Sequence, residues 1–281
     1  MHAEIRGRAG GRCPICGMAL VPIGAAGSGG YGLDVEILPR ALEAGQQGRV
    51  RFLVRQPNTG ETVRRFELVH ERVFHLFVVS YDLEYFAHVH PTVQPDGALE
   101  VELRVPRPGA YQLIADFLPA GGSPQLVQRS FVTAGYGGSL VSTPKVGADT
   151  ADKVAGATRV KLTMPDAVAG REQLLTFDLE DAATGASVRD LEVYLGAAGH
   201  LLIVSTDLAV AEHSHPVAEI TSAAGPTVVF QVRFPSAGDY RMWMQFQRVG
   251  QVATASFTVP VRPARSSVGG DEVQLRTASR Q

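Results

Sequence analysis

The stretch that decides the fold is HLFVVSYDLEYFAHVHP at residues 75–91, which recurs as HLLIVSTDLAVAEHSHP at residues 200–216. These two segments are identical at 9 of 17 positions. With the same shift of 125, residues 50–91 align without a gap with residues 175–216, and 15 of 42 positions are identical. The match resumes downstream, where RVPRPGAY at 104–111 corresponds to RFPSAGDY at 233–240. The chain therefore contains an internal duplication.

Each copy consists of short strands separated by turn residues. In the first copy, the alternating strand Val50–Val54 is followed by the turn Gln56–Gly60, and the strand Ala98–Val105 by the turn Pro106–Gly109. Strands that recur about every 8–12 residues between Gly, Pro and Asn turns indicate a sandwich or barrel. No window sustains the apolar period of about 3.6 residues expected of a helix. We predict an all-β protein with two tandem Ig-like or cupredoxin-like β-sandwiches of about seven strands each.

Composition changes divide the chain into five parts. They are a small unit at 1–24, a first sandwich at 31–135, a linker at 136–157, a second sandwich at 158–260 and a flexible tail at 261–281. The linker is assigned because its residues are mostly small or polar. Each sandwich exceeds 100 residues, which is enough to bury a core without a metal.

Charge and motif content exclude several classes of function. The formal net charge is −2 and 19% of residues are charged, with no basic stripe, so we expect no nucleic-acid partner. No apolar run reaches the roughly 18 residues that span a bilayer, so we expect no membrane span. There is no nucleophile–base constellation, no paired-carboxylate motif and no Gly-rich phosphate loop. We therefore expect a protein that is not an enzyme and has no catalytic residues.

The duplicated histidines are the main candidate ligands. If Leu76–Val79 and Phe86–His90 form a hairpin, a turn centred between Asp82 and Leu83 places His75 opposite His90, with His88 diagonal to it. A turn shifted by one whole residue pairs His75 with His88 instead. Either register puts all three rings on one face of the sheet. The candidate metal ligands are His75, His88 and His90, and, in the second copy, His200, His213 and His215.

Two interpretations of these histidines remain open. Three converging neutral imidazoles suit a borderline ion, so we expect copper or zinc as the cofactor. Alternatively, the rings brace the hairpins by donating to carbonyl groups, while Asp82 and Asp207 serve as turn residues. His70 aligns with Leu195, so we interpret it as a surface histidine outside the repeated pattern. Met242 and Met244 are interpreted as core filler rather than copper ligands.

A compact cysteine motif lies near the beginning of the sequence. Cys13-Pro14-Ile15-Cys16-Gly17 lets two thiolates converge on one metal ion, and Gly17 permits the backbone conformation that such a turn needs. Two thiolates do not complete a tetrahedral site. Further ligands are expected from His2, Met1, Met18 or a partner. The alternatives are a redox dithiol and a casual vicinal disulfide.

Residues Met1–Arg6, followed by Gly10–Pro22, resemble the heavy-metal-binding domain attached to copper and heavy-metal efflux adaptors and P-type ATPases. That family usually begins with Cys-Pro-Met-His-Pro, whereas this sequence has Ala3 in place of the last proline and no Cys-Pro before Met1. We expect that the true start lies upstream and that an export signal was lost with it. The two larger units resemble uncharacterised sandwiches that follow such a knuckle in bacterial envelope proteins.

These patterns predict a heavy-metal-binding protein, with copper as the expected ion, that holds or delivers metal in the bacterial envelope. A periplasmic or otherwise extracytoplasmic location is expected. The expected partners are the metal ion and a metal-efflux or envelope protein. The alternative is a non-catalytic structural or interaction protein whose histidines brace β-hairpins.

Overall fold

The computed structural model describes residues 30–141, 144–222 and 225–264, and within these ranges every regular element is a β-strand. The strands form four sheets in which all neighbouring strands are antiparallel, two sheets for each copy of the repeat. The predicted fold class, all-β with two tandem sandwiches, is confirmed. The small unit predicted at residues 1–24 lies outside the described residues.

The first sandwich contains eight strands in two four-stranded sheets. One sheet has the order β1-β2-β6-β5 and the other β4-β3-β7-β8. The strands are β1 Gly32–Leu38, β2 Gly48–Arg55, β3 Phe74–Ser80, β4 Phe86–Val89, β5 Thr92–Val93, β6 Leu99–Leu103, β7 Ala110–Phe117 and β8 Gln125–Val132. The core between the sheets is built around Phe52, Phe74 and Phe117.

The second sandwich repeats this plan with ten strands. One sheet has the order β15-β16-β11-β10-β9; in the other, β14-β13-β17-β18 matches β4-β3-β7-β8, and short β12 also pairs with β17. The strands are β9 Lys153–Ala155, β10 Thr158–Thr163, β11 Glu172–Asp181, β12 Leu191–Glu192, β13 His200–Ser205, β14 Ala211–Ser214, β15 Pro216–Ser222, β16 Gly225–Arg233, β17 Gly238–Arg248 and β18 Gln251–Val261. Met242 and Met244 lie fully buried in its core, as predicted.

The structure differs from the predicted boundaries at two places. Strand β9 lies inside the segment predicted as a linker, because a two-residue turn at Gly156 and Ala157 folds it back onto β10. Gly156 has a φ of 59°, which glycine adopts without a steric penalty, so the small residues here form a tight turn. At the other end, β18 continues to Val261, the first residue of the predicted tail.

Strand β3, which carries His75, is buried on both of its faces. Every residue from Phe74 to Ser80 is buried. Phe74, Leu76 and Val78 point into the core of the first sandwich, whereas Phe77 and Val79 belong to a separate apolar cluster that includes residues of the second repeat. Side chains alternate between the two faces of a strand, so one face of β3 packs within its sandwich and the other packs against the other repeat.

The cluster between the repeats is nearly symmetric. Its buried members form four equivalent pairs, each contributing one residue from each copy: Phe77 and Leu202, Val79 and Val204, Leu83 and Leu208, Ile114 and Trp243. Beside them, Phe86 stacks on Trp243 with ring centroids 5.1 Å apart. Using the same patch from both copies is the pattern of an isologous dimer interface. Here it joins two halves of one chain.

We predict that Ile114→Ala lowers the free energy of unfolding by about 2–5 kcal/mol, because it removes a fully buried side chain from this cluster. Urea denaturation followed by the fluorescence of Trp243, which lies in the same cluster, measures the change. The control Leu174→Ala, at a side chain that is 53% exposed, should change it by no more than about 0.5 kcal/mol. Equal effects of the two substitutions would contradict the assignment of Ile114 to a packed interface.

Candidate metal centre

Two hairpins position the histidines. In the first, Leu76 pairs with Val89 and Phe77 with His88, and continuing this register brings His90 opposite His75, which is the first of the two predicted registers. The turn is held by Asp82, whose carboxylate accepts from the Ser80 hydroxyl and from the Glu84 amide. The second hairpin has the same pairing, with Leu202 opposite His213. The aspartates therefore act as turn residues.

Each hairpin brings its three histidines together. We call His75, His88 and His90 the first triad, and His200, His213 and His215 the second triad. In each triad, one potential ligand atom from every histidine lies within 4.8 Å of the other two. Both triads are on the sheet faces that the other repeat covers. The predicted residues of each copy are thus neighbours at one buried interface.

Hydrogen bonds fix the tautomers of the first triad. His75 Nε2 lies 2.9 Å from the carbonyl oxygen of Val69, which can only accept, so this nitrogen carries the proton. His88 Nδ1 likewise donates to Gln245 Oε1 at 2.8 Å, and the amide nitrogen of Gln245 donates to Thr254, which fixes the amide orientation. In neutral rings the remaining nitrogens, His75 Nδ1 and His88 Nε2, are unprotonated. They face one another at 3.0 Å.

The second triad repeats this arrangement. His200 Nε2 donates to the carbonyl oxygen of Tyr194 at 2.9 Å, and His213 Nδ1 donates to the carboxylate of Asp116 at 2.7 Å. His200 Nδ1 and His213 Nε2 then face one another at 3.2 Å. Asp116 and Gln245 occupy equivalent positions of β7 and β17. Each repeat therefore orients the central histidine of the other.

The third histidine of each triad has an unsatisfied nitrogen. His90 Nε2 and His215 Nε2 are buried and have no hydrogen-bond partner among the described residues. A buried polar nitrogen without a partner is costly unless something else binds it. Three nitrogens bound to one tetrahedral ion lie about 3.3 Å apart, since each bond is about 2.0–2.1 Å long. The paired nitrogens at 3.0 and 3.2 Å already have nearly this spacing.

Burial keeps these rings neutral. It lowers the pKa of His88 to about 2 and those of His90 and His200 to about 3, and neighbouring imidazoles add to the effect on His88 and His90. The pKa values of His213 and His215 also lie well below the ordinary value for the same reason. A proton is therefore a poor occupant of the gap between the facing nitrogens. Neutral imidazole is the form that binds metals.

The two triads differ in their neighbours. His70, interpreted from sequence as a surface histidine, instead stacks its half-buried ring on His215 with centroids 3.4 Å apart, and its centroid is 5.6 Å from that of His200. Leu195 holds the equivalent position in the second repeat, and both residues have positive φ. The second triad thus has a seventh imidazole beside it. No sequence pattern indicates this contact, because the equivalent residue in the other repeat is a leucine.

Asp116 is a second residue that the sequence analysis missed. It lies on β7 beside His75 but bonds to His213 of the other repeat. Burial raises its pKa to about 7, and its side chain keeps 20% exposure. It lines a cavity of about 180 Å³ together with Glu212, His213 and His215. A carboxylate inside a strand of mostly apolar residues is the signal that could have identified it.

The remaining predicted ligands, Cys13, Cys16, His2 and Met18, lie outside the described residues. For the six triad histidines, the arrangement offers two unprotonated nitrogens per site, held in orientation by a carbonyl group and by a carboxylate or amide, and a third buried nitrogen without a partner among the described residues. Such partners fix the tautomer and raise the basicity of metal-ligating histidines. Chemically, each triad can bind a cation through imidazole nitrogen.

The fold and the site define a two-repeat β-sandwich protein with a polyhistidine cluster between the repeats. Residues 28–133 and 152–263 match the family described as "Domain of unknown function (DUF8832)", and the chain belongs to this family. Residues 1–23 match the family described as "Heavy metal binding domain", which supports metal binding at that end of the chain. A comparison with curated proteins finds no match.

Several solved structures match this chain at low sequence identity. The Escherichia coli adhesin FdeC matches with 13% identity and a TM-score of 0.27, over 88% of this chain and 68% of its own. The Yersinia pseudotuberculosis adhesin InvE matches with 12% identity and a TM-score of 0.26, over 84% and 62%. Escherichia coli alpha-2-macroglobulin matches with 13% identity and a TM-score of 0.28, over 85% and 22%. At these TM-scores the similarities carry no argument for this chain.

In the part of the chain that the structure describes, no helix has the length and apolar character needed to cross a membrane.

We predict that the metal-free protein loses stability steeply below about pH 6.5. Six imidazoles have lowered pKa values when folded. The unfolded chain therefore binds more protons below its ordinary histidine pKa, and each group contributes a slope of about 1.4 kcal/mol per pH unit. Asp116, whose pKa is raised to about 7, and Glu212, whose pKa burial also raises, have the opposite sign, but they are two groups against six. Above about pH 7 stability should be nearly constant.

Urea denaturation in the presence of a chelator, from pH 8 to pH 5, measures this dependence. The double variant His88→Gln with His213→Gln has two fewer such groups and should show a shallower slope below pH 6.5. A flat profile for the unsubstituted protein would mean that the rings protonate freely in the folded state.

Proposed function

We propose that this protein binds a heavy-metal ion, copper in the first instance, at the two histidine triads between its repeats. The observation that carries the proposal is the pair of facing nitrogens in each triad, 3.0 and 3.2 Å apart, whose protons are both directed elsewhere. Two lone pairs at this separation repel unless a cation lies between them. Burial disfavours the proton, which leaves a metal ion.

The donor set supports copper or zinc as the ion. All three donors of a triad are imidazole nitrogens, which suit zinc and copper, whereas magnesium and calcium prefer oxygen. Three neutral ligands add no negative charge of their own. Beside the second triad the only carboxylate that bonds to a ligand ring, among the described residues, is Asp116. A low ligand charge favours an ion of low charge, which supports Cu(I) over the divalent ions.

We further propose that the protein holds or delivers metal in the bacterial envelope and performs no catalysis. The heavy metal binding domain at residues 1–23 supports a role in metal handling, with Cys13 and Cys16 as its thiolate ligands. Its resemblance to the knuckles of efflux adaptors supports an extracytoplasmic location and a metal-efflux or envelope partner. Fractionation of the native host with an antibody to this chain tests the location; recovery in the cytosol would contradict it.

We predict that the protein, titrated with Cu(I) or Zn(II) at pH 7, binds two ions at the triads. The double variant His88→Ala with His90→Ala should lose one of them, and adding His213→Ala with His215→Ala should remove both. Substituting Cys13 and Cys16 by serine in every sample removes the thiolate site from the count. Metal analysis after desalting, together with calorimetric titration, gives the stoichiometry. A stoichiometry that does not change in the double variant would contradict binding at the triads.

The alternative function is a structural one, in which the histidines brace the fold. The bonds from His75 to Val69 and from His200 to Tyr194 favour it, since each ties a strand to a preceding loop. The two functions differ in their response to metal. Binding to the folded state alone adds about 2.7 kcal/mol of stability at a free metal concentration of 100 times Kd. A brace gives no such increase, so thermal denaturation with and without metal separates the two.

We also predict unequal affinities. A carboxylate behind a ligating histidine strengthens binding more than an amide does, so the second triad, backed by Asp116, should bind more tightly than the first, backed by Gln245. With the first triad removed by substitution, Asp116→Asn should weaken binding at the second about 10- to 100-fold. The surface variant Asp34→Asn, at a side chain that is 61% exposed, is the matched control. No difference between the two would contradict a role for Asp116 in positioning His213.

A further inference from the structure

We propose that the two triads form one two-metal centre shared by the repeats, and not two independent sites. This inference rests on the proposed function. It starts from the distances between rings of different triads. The centroids of His75 and His213 are 5.1 Å apart, those of His88 and His213 6.0 Å, and those of His75 and His200 6.2 Å. Within a triad the corresponding distances are 4.3 to 5.5 Å. The six rings therefore form one continuous cluster.

These distances limit the separation of two bound ions. Each ion lies about 3 Å from the centroid of a ring that it coordinates, since the metal–nitrogen bond is about 2.0–2.1 Å. With His75 on one ion and His213 on the other, the ions are at most about 11 Å apart. Two unpaired electrons within that distance have a dipolar coupling that electron paramagnetic resonance detects.

The supporting bonds also cross between the triads. The central histidine of the first triad is oriented by Gln245, which pairs on the sheet with His200 of the second triad. The central histidine of the second is oriented by Asp116, which pairs on the sheet with His75 of the first. A shift of either strand β7 or strand β17 therefore moves groups of both triads. The two sites share their supporting strands and their buried environment.

Because the two triads are buried together, a metal ion bound at one triad affects the binding of a second ion at the other. Two divalent ions this close repel one another more strongly than they would in water, and two monovalent ions repel one quarter as much. The second divalent ion should therefore bind more weakly than the first. This weakening adds to any difference in intrinsic affinity between the two triads. Two Cu(I) ions should fill the centre with less of this penalty. The cluster fits a pair of copper ions better than a pair of zinc ions.

Electron paramagnetic resonance of the full chain tests the centre, with Cys13 and Cys16 replaced by serine to leave only the triads. At one equivalent of Cu(II) we expect a spectrum with resolved copper hyperfine lines. At two equivalents we expect dipolar broadening of those lines, relative to the spectrum at one equivalent. The variant His88→Ala with His90→Ala, given two equivalents, should bind one ion and keep the resolved spectrum.

The outcomes separate this inference from the proposed function. Two bound ions whose spectra simply add, without broadening, would overturn the shared centre and leave metal binding intact. One ion per chain that is lost when either triad is substituted would show a single six-histidine site, which also overturns the two-metal centre. Absence of any bound copper at the triads would overturn both the inference and the proposed function.

Discussion

The packing of one sheet of each repeat against the other is the interaction on which the rest of the structure depends. Strands β3 and β13 have side chains that must be buried on both faces, and a single sandwich covers only one of them. The second face is covered by the other repeat through Phe77, Leu202 and their neighbours. Because the histidines alternate onto this second face, the same packing removes them from water.

Removal from water explains the state of the rings. A solvated histidine binds a proton near neutral pH, but desolvation lowers the pKa of every triad histidine. The cluster thus combines poor affinity for protons with unprotonated nitrogens that face one another and with buried nitrogens that lack partners among the described residues. A buried cluster of polar rings is unfavourable in a protein core, and positions that are unfavourable for folding are often functional sites. A role for these histidines in folding alone does not account for the unpartnered nitrogens of His90 and His215.

The sequence predicted the fold well and the site only in part. The duplication, the strands and the hairpin register follow from local patterns, because alternation and turn residues act within a few positions of one another. The interface between the repeats cannot be predicted from such local patterns. The apolar run Leu76–Val79 indicates that both faces of the strand are buried, but it does not indicate what covers the second face. Asp116 and His70 were missed for the same reason. Each is local to one repeat in sequence and acts on the other repeat in space.

Joining two copies in one chain has a physical consequence that a dimer would not have. In an isologous dimer the residues behind the two triads must be identical, since one gene encodes both. Within a single chain the equivalent positions can differ, and here they do: Asp116 opposes Gln245, and His70 opposes Leu195. Both differences fall on the second triad, which receives the carboxylate and the additional imidazole. The four pairs of the interface, by contrast, are apolar on both sides, although Ile114 has Trp243 as its equivalent. These two departures from symmetry lie beside the buried histidines, which is where a difference in ligand affinity would be set.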